Sequence, residues 1–415
     1  MTTHLFRVAT LSALLCITAC ANQSVTQSVV ASSPAIATVD GQAVIQNGAV
    51  LLAKKQALQD AIRVASQQSS VAIHSQSTVK NNNLMLDSTT MRAAAAVSNT
   101  RILKEWQADG IYYVKAMVEL SPTGMCQQIY RKRMIATAFP RVVQEQISDY
   151  ETNDLDNGIP REINNLLMES SQFIGINATN IALYPRPDLA PELQENNNNY
   201  QVSKVMQIAN KSGAQFVLSG VIRDLEIASD EYMNGSGIKA LVNSWGRHIS
   251  GKRNIGIDVY VHDGMTGALL LQRRYVDKSE GSVMIPASYT VGSDGFRSTE
   301  TGEKITEIIN KASNDIQQSL SCYPFSTRIV EIKGNKIFID AGAQEKLNVG
   351  DQLIVYSAGS GGGLHLDGGS SYITNDKQPI SVFTVQNVTP RYSIGSIEGS
   401  VSQSGIKVGD WVRSQ

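Results

Sequence analysis

The most reactive side chains in this sequence belong to four cysteines, and Cys20 is the first of them with a recognisable context. It follows a short apolar run, residues 8–19, that begins just after Arg7. A small residue before a cysteine, with Ile17 three places upstream, is typical of a bacterial lipoprotein signal, in which the cysteine is acylated and becomes the first mature residue. The tripeptide Ala-Cys-Ala is also an A-x-A cleavage site, and cleavage after Ala21 would discard Cys20. Both interpretations predict an export signal over residues 1–21, and we favour lipidation of Cys20.

Two other cysteines, Cys126 and Cys322, remain in the mature chain under either interpretation, whereas Cys16 is lost with the signal. In an oxidising compartment such a pair is a disulfide candidate, and two buried unpaired thiols are the alternative. A Cys126–Cys322 bridge would close a loop over nearly the whole middle of the chain. The chain-entropy model gives such a bridge roughly 5 kcal/mol of stabilisation, less any strain.

Motifs for catalysis or cofactor binding are missing from the sequence. It contains no G-x-S-x-G elbow, H-E-x-x-H, C-x-x-C or P-loop, and its mature histidines, His74, His248, His262 and His365, have no metal-ligand spacing. Residues 154–158 are similar to a calcium loop, but Asn165 stands where the twelfth-position Glu should be, which favours an acidic loop before a helix. We therefore predict no enzyme, cofactor or metal, although a glycosidase carboxylate pair needs no motif and stays open.

Composition sets the size class and argues against nucleic acid as a partner. A formal charge of −1 gives no large field that would attract a polyanion. With 415 residues and 42% hydrophobic content, the chain is expected to form two to four packed domains. No apolar run after the leader approaches the roughly 18 residues that a membrane-spanning helix needs.

Hydrophobic periodicity and turn residues divide the mature chain into a tether and three domains. Residues 22–36 are small and polar, as in a flexible tether. Residues 37–121 predict a small α+β domain: a strand, a helix with Leu51, Leu58, Ala61, Ile62 and Ala65 on one face, a short helix at 89–96, and a hairpin at Asp109-Gly110. The helix is expected to pack on the sheet.

Residues 122–324 predict a larger α/β middle domain. Its signals are the buried strand "KRMIATAF", a helix with Asp or Asn as cap and Pro160 in its first turn, and an Asn-rich loop at 196–199. A hairpin at Asp263-Gly264 and an amphipathic helix from Ile305 to Leu320 follow. Charges at 131–133 and at 273–274 are interpreted as strand-edge charges, and a contact with peptidoglycan or protein is the alternative.

Residues 325–415 predict a small SH3-like β-barrel. A hairpin is expected at Gly334-Asn335, and the phrase Val-Gly-Asp precedes a strand twice, at 349–351 and at 408–410. The glycine-rich insert at 357–371 is interpreted as a surface loop.

Four stretches in this order resemble the FlgT family of flagellar H-ring proteins. They are "AKKQALQDAIRVAS" (53–66), "VKAMVELSPTGMC" (114–126), "ANKSGAQFVLSGVIRDL" (209–225) and "LNVGDQLIVYS" (347–357). The resemblance covers essentially the whole mature chain, and none of the stretches is a catalytic signature. It implies a middle domain similar to the amino-terminal domain of TolB.

The resemblance further implies a periplasmic structural protein of the flagellar basal body. Such a protein forms the H ring around the outer-membrane and peptidoglycan rings and supports assembly of the stator-associated T ring, so these ring proteins and further copies of itself are the expected partners. The phrase "GAQFVLSGVI" is also similar to curli-secretion lipoproteins of the CsgG type, so a lipid-anchored outer-membrane assembly or secretion factor unrelated to flagella is the alternative. Lipidation of Cys20 would depart from the family pattern, and Ala21 after it would favour sorting to the outer membrane.

Overall fold

The computed structural model describes residues 35–69, 97–120, 129–192, 203–228, 251–358 and 379–414. The predicted tether lies outside this part of the chain except for its last two residues, which open the first strand. The predicted helix at 89–96, the Asn-rich loop and most of the glycine-rich insert also lie outside it. The described residues contain three separate sheets together with helices that pack against them, which confirms the α+β fold class.

The N-terminal module is a three-stranded antiparallel sheet in the order β1-β3-β2, with one helix on it. Its strands are β1 (Ala35–Val44), β2 (Val97–Ala108) and β3 (Ile111–Leu120), and the helix α1 spans Val50–Ser69. The predicted turn between β2 and β3 is confirmed, because Asp109 and Gly110 have φ angles of 51° and 74°, both positive as this two-residue hairpin requires. Burial alternates along β3, so one face of the sheet packs under α1 and the other is open.

Helix α1 meets the sheet through alanines at four-residue spacing, Ala53, Ala57, Ala61 and Ala65, all of them buried. The predicted face included Ala61 and Ala65, and its Leu58 and Ile62 are half-buried and pack against the same hydrophobic cluster. The buried stripe also contains Ala53 and Ala57, which the predicted face did not include. Opposite them, Gly41 on β1 leaves no room for a side chain, since a Cβ there would clash with the carbonyl oxygen of Ala57. Small residues on both sides let the helix approach the sheet closely.

The middle module is a mixed six-stranded sheet in the order β5-β4-β6-β8-β7, with β9 pairing to β8. Strands β4, β5 and β6 run parallel, and β8 and β9 add antiparallel strands. The strands are β4 (Lys132–Ala138), β5 (Phe173–Ala182), β6 (Phe216–Asp224), β7 (Ile227–Ala228), β8 (Gly251–Asp263) and β9 (Leu269–Gly281).

Helices cover both faces of this sheet. Helices α2 (Leu155–Glu169) and α5 (Glu300–Leu320) share one hydrophobic cluster with the sheet, and α3 (Lys204–Ser212) packs on the opposite face. A single turn, α4 (Asp294–Arg297), precedes α5. Because β4 lies between β5 and β6 and is covered on both faces, all seven of its residues are buried.

Two details of α2 differ from the prediction. Asp154 occupies the N-cap position but its side chain does not cap the helix, and Pro160 lies in the second turn rather than the first. Proline has no backbone N–H, so the carbonyl of Asp156 loses its helical donor. The backbone N–H of Phe139 donates to that carbonyl instead, at 2.8 Å. The proline therefore ties the end of β4 to α2.

The interpretation of residues 131–133 as strand-edge charges was wrong. Lys132 and Arg133 begin the central strand β4 and have relative exposures of 0% and 8%. The ammonium group of Lys132 donates to the carbonyl oxygen of Leu320, 2.7 Å away at the end of α5. Arg273 and Arg274 lie on β9, whose only strand partner in the described ranges is β8.

The C-terminal module is a closed six-stranded barrel in the order β10-β11-β14-β13-β12-β15, which confirms the predicted small barrel. Its elements are β10 (Ser326–Lys333), β11 (Lys336–Ile339), β12 (Gln352–Tyr356), β13 (Pro379–Val388), β14 (Ser393–Ile397), the short helix α6 (Val401–Ser404) and β15 (Trp411–Arg413).

The repeated Val-Gly-Asp phrase forms the same turn twice. Gly350 and Gly409 have φ angles of 94° and 95°, a region that favours glycine. In each turn the aspartate accepts a hydrogen bond from the backbone N–H three residues earlier: Asp351 from Asn348 at 2.8 Å, and Asp410 from Lys407 at 2.7 Å. The strands that follow, β12 and β15, pair with each other and help to close the barrel.

Candidate functional site

The middle module and the barrel are joined by a buried ion pair. The guanidinium group of Arg133 lies 2.7 Å from Glu345 and 3.1 Å from Asp340, both in the barrel module. Burial lowers the pKa of Arg133, but the two carboxylates outweigh burial and raise it above its ordinary value. Glu345 also accepts the backbone N–H of Gly342, so both of its oxygens are used. Removing one partner of such a pair typically costs about 3–5 kcal/mol.

A second set of contacts fixes the chain where it passes from α5 into the barrel. The Gln215 side chain donates to the carbonyl of Pro324 at 2.7 Å and accepts the N–H of Ser326 at 3.1 Å. The rings of Tyr130 and Phe325 pack with their centroids 5.4 Å apart. The middle module and barrel therefore share charged, polar and aromatic contacts and belong to one compact unit.

The N-terminal module contacts the barrel directly through the start of α1. Leu52, Ile354 and Val382 form a small buried apolar cluster across the two modules. The carboxylate of Glu398 accepts the backbone N–H of Leu51 at 3.0 Å. A carboxylate there complements the positive end of the helix dipole and satisfies one of the first-turn N–H groups. The first and last modules of the chain are thus in contact.

The face of the N-terminal sheet opposite α1 is open in the part of the chain that the structure describes. The rings of Trp106 and Tyr113 stack there across β2 and β3, with centroids 5.2 Å apart and planes within 6°. The ammonium of Lys104 lies 5.3 Å from the centre of the Trp106 ring. We call this surface the basic face; its exposed members include Ile36, Val44, Arg101, Lys104, Trp106 and Met117, together with the anion Asp40.

The edges of this sheet are protected against strand addition. On the β1 edge, the N–H of Gln42 already donates to Asp60 of α1 at 3.1 Å. On the β2 edge, the register shifts between Ile102 and Lys104, which leaves Leu103 as a bulge. Covered groups and bulges both discourage edge-to-edge pairing. The face, rather than an edge, is the surface available for contacts.

A second exposed surface lies in the loop between β4 and α2. Tyr150 and Val143 have relative exposures of 82% and 40%, and Glu145 and Asp149 of the same loop are also exposed. We call these four residues the acidic knob.

The acidic knob is held by a buried ion pair next to it. Both carboxylate oxygens of Glu151 bind the guanidinium of Arg253, at 2.6 and 2.8 Å, with relative exposures of 1% and 0%. Burial raises the pKa of Glu151, but the hydrogen bonds and charge of Arg253 outweigh burial and hold it below its ordinary value. The carbonyl of Tyr150 accepts the N–H of Ala287 at 3.0 Å. The exposed tyrosine therefore projects from a fixed backbone.

Two family models match this chain side by side. The model of the flagellar assembly protein T N-terminal domain matches residues 35–122, and that of its middle domain matches residues 124–291. Together they cover more than half of the 415 residues. The chain belongs to the flagellar assembly protein T family. This family member is therefore a flagellar assembly protein, and it acts at the flagellar basal body.

Solved structures share only a distant likeness with this family member. The hypothetical protein CT253 from Chlamydia trachomatis is 14% identical, with 46% of this chain and 98% of that chain covered and a TM-score of 0.32. The PelC dodecamer from Paraburkholderia phytofirmans is 11% identical, with 46% and 88% covered and a TM-score of 0.23. Lipoprotein GNA1162 from Neisseria meningitidis is 10% identical, with 44% and 99% covered and a TM-score of 0.22. TM-scores this low support no conclusion about the chain. No curated protein matches it.

The residues predicted as sites in this family member fall mostly outside the described ranges. Cys20 and Cys126 both lie there. Cys322, just after α5, is disulfide-bonded, and its pairing with Cys126 stays a prediction. Within the described residues, no group of three or more His, Cys, Asp or Glu side chains is placed to hold a metal ion, and no helix is long and apolar enough to cross a membrane.

Sequence reasoning missed the charged residues that join and support the modules. Arg133, Glu345, Arg253 and Glu151 are far apart in sequence and match no motif. One signal was present: Lys132 and Arg133 open an otherwise apolar strand, and a charge inside a buried strand requires a partner elsewhere in the fold.

Proposed function

We propose that this flagellar assembly protein is a structural component of the H ring of the basal body. In this role it occupies a fixed position in the periplasm and is needed for the outer rings to assemble around the rod. It also supports assembly of the T ring and stator. Its partners are the outer-membrane and peptidoglycan ring proteins, the T-ring proteins and further copies of itself.

The observation that carries this proposal is the direct joining of three modules into one block. Arg133 with Glu345 and Asp340 fixes the middle module to the barrel, and Glu398 with Leu51 fixes the N-terminal module to the same barrel. A ring component has to hold its neighbours at constant distances, and a block with buried interfaces between modules meets that need. Such a protein works by packing, without turnover of a substrate.

Two covalent features belong to the proposal. Lipidation of Cys20 would tether the mature chain to the outer membrane, next to the ring that it helps to build. A Cys126–Cys322 bridge would hold the two ends of the middle module together. Membership of the flagellar assembly protein T family argues against the alternative, a lipid-anchored secretion factor unrelated to flagella.

Electron microscopy of purified basal bodies tests the ring assignment. We expect a deletion strain to lack an outer ring and to carry fewer flagella, and a strain with Cys20→Ser to show whether the lipid is required. A strain carrying Glu398→Lys together with Leu52→Asp separates the N-terminal module from the barrel, and we expect an incomplete ring. The matched control is Lys407→Glu with Val408→Asp, which changes exposed barrel residues away from α1. Unchanged basal bodies in the deletion strain would refute the ring assignment.

A further inference from the structure

The basic face and the acidic knob are two exposed surfaces of opposite charge on different modules of the same chain. We propose that the acidic knob of one copy packs on the basic face of the next copy, so that the protein associates with itself head to tail. This inference rests on the proposed ring function and names the contact through which the ring would form.

The basic face offers apolar area with cations along one side. Arg101 and Lys104 are exposed on β2, beside Trp106 and Met117. Lys115 is on the same face, but it already lies 3.7 Å from Asp40 on β1. Glu119 is the other anion on this face. The positive charge therefore concentrates at the β2 side, where the stacked tryptophan also lies.

The acidic knob offers the complementary chemistry. Its charges are Glu145 and Asp149, and its exposed apolar residues are Tyr150 and Val143. Tyrosine and tryptophan are the residue types that most often dominate binding energy at interfaces, because they bury a large area at low entropic cost. The Glu151–Arg253 pair fixes the loop beforehand, so little order has to be gained on binding.

Charge complementarity identifies a second copy as the partner. The acidic knob carries two exposed carboxylates, and the basic face carries two exposed cations on one strand. Within the described residues both surfaces are open in the same chain, so neither covers the other, and a pair of copies joined by one contact retains one free knob and one free face. A contact between two different patches is heterologous, and repetition of such a contact closes a ring when the rotation between copies allows it.

Cysteine cross-linking in flagellated cells tests the contact. A chain carrying Val143→Cys and Met117→Cys together should form a ladder of disulfide-linked species beyond the dimer. Each single variant should form no ladder, because a heterologous contact then brings only one engineered thiol to each interface. The matched control is Val276→Cys with Val330→Cys, two exposed positions outside both surfaces, and we expect no ladder from it.

A charge exchange in the double-cysteine background tests the electrostatic part. Arg101→Glu with Lys104→Glu should reduce the ladder at least tenfold, and so should Glu145→Lys with Asp149→Lys. All four substitutions in one chain restore opposite charges and should restore the ladder, which a defect in folding would not allow. Absence of the ladder from the double-cysteine chain, or a ladder that the charge changes leave untouched, would overturn the contact.

Micrographs of basal bodies from the same cells separate the two proposals. An H ring without a ladder would overturn this contact and leave the proposed function in place. A ladder, together with basal bodies that are unchanged when the protein is deleted, would support the contact and overturn the proposed function.

Discussion

Because Lys132 is buried, we expect the stability of the protein to depend on pH in a specific way. Its ammonium nitrogen is fully buried, 2.7 Å from the carbonyl oxygen of Leu320 and 3.3 Å from that of Ser321. Burial removes water from the charged form and lowers the pKa of Lys132 from 10.5 to about 7. Between these two values the unfolded chain holds a proton that the folded chain has released, so the free energy of unfolding rises as pH rises.

The size of the effect follows from the two pKa values. Each pH unit between them is worth at most about 1.4 kcal/mol, so the whole interval corresponds to about 5 kcal/mol. Between pH 7.5 and 9.5 we expect the wild-type protein to gain about 2.5 kcal/mol relative to Lys132→Met, which has a similar unbranched shape and no charge.

Urea unfolding of the mature protein at pH 7.5, 8.5 and 9.5 measures this difference. The other groups that titrate in this range are common to both proteins, so the difference between wild type and Lys132→Met isolates Lys132. The control is Lys336→Met at an exposed position of the barrel, for which the difference should stay constant. Parallel pH profiles for wild type and Lys132→Met would show that the buried lysine does not release its proton, and the reasoning would be wrong.

Three further substitutions test other buried features. Burial lowers the pKa of His262 to about 4, so the unfolded chain takes up a proton before the folded chain does as pH falls from 6.5. Over that range the free energy of unfolding of the wild type should fall by up to about 3 kcal/mol more than that of His262→Gln, as measured by urea unfolding at several pH values. Gly41→Val should destabilise the N-terminal module by about 1–3 kcal/mol, because the side chain meets the carbonyl of Ala57, and limited proteolysis should cut α1 faster; unchanged protection would contradict the close approach. Arg253→Met should cost about 3–5 kcal/mol in thermal unfolding by leaving Glu151 charged and unpaired. Arg253→Met with Glu151→Gln should regain most of that loss, and an equal loss in both would show that the ion pair is not the cause.

Turns and helices whose conformation is set by residues adjacent in the chain could be predicted from the sequence. The hairpin at Asp109-Gly110 and the two Val-Gly-Asp turns require positive φ angles that only a few residue types adopt readily. The residue types at these positions therefore indicate the turns. The amphipathic stripe of α5 was equally visible, because its apolar residues recur with the period of the helix.

Features that depend on distant residues could not be predicted. Hydrophobic periodicity tracks large side chains, so it indicated Leu58 and Ile62 of α1, which are half-buried, but missed the fully buried Ala53 and Ala57. The strand "KRMIATAF" was predicted to be buried, but local patterns do not reveal the distant partners Leu320 and Glu345, and the charges of Lys132 and Arg133 were therefore assigned to an edge. The basic face and the acidic knob depend on which residues are exposed after the modules pack, and that is a property of the folded chain.

The contact between Leu51 and Glu398 joins residues 347 positions apart, which has a consequence for biosynthesis. The amino terminus is made first, so the N-terminal module can fold long before the barrel exists. During that interval Leu52 has no barrel residue to cover it, because its partners Ile354 and Val382 are made near the end of the chain. Contacts of such long sequence separation form late. A chain that stops before the barrel would keep Leu52 exposed. Burial of Leu52 therefore distinguishes a full-length folded copy from a truncated one.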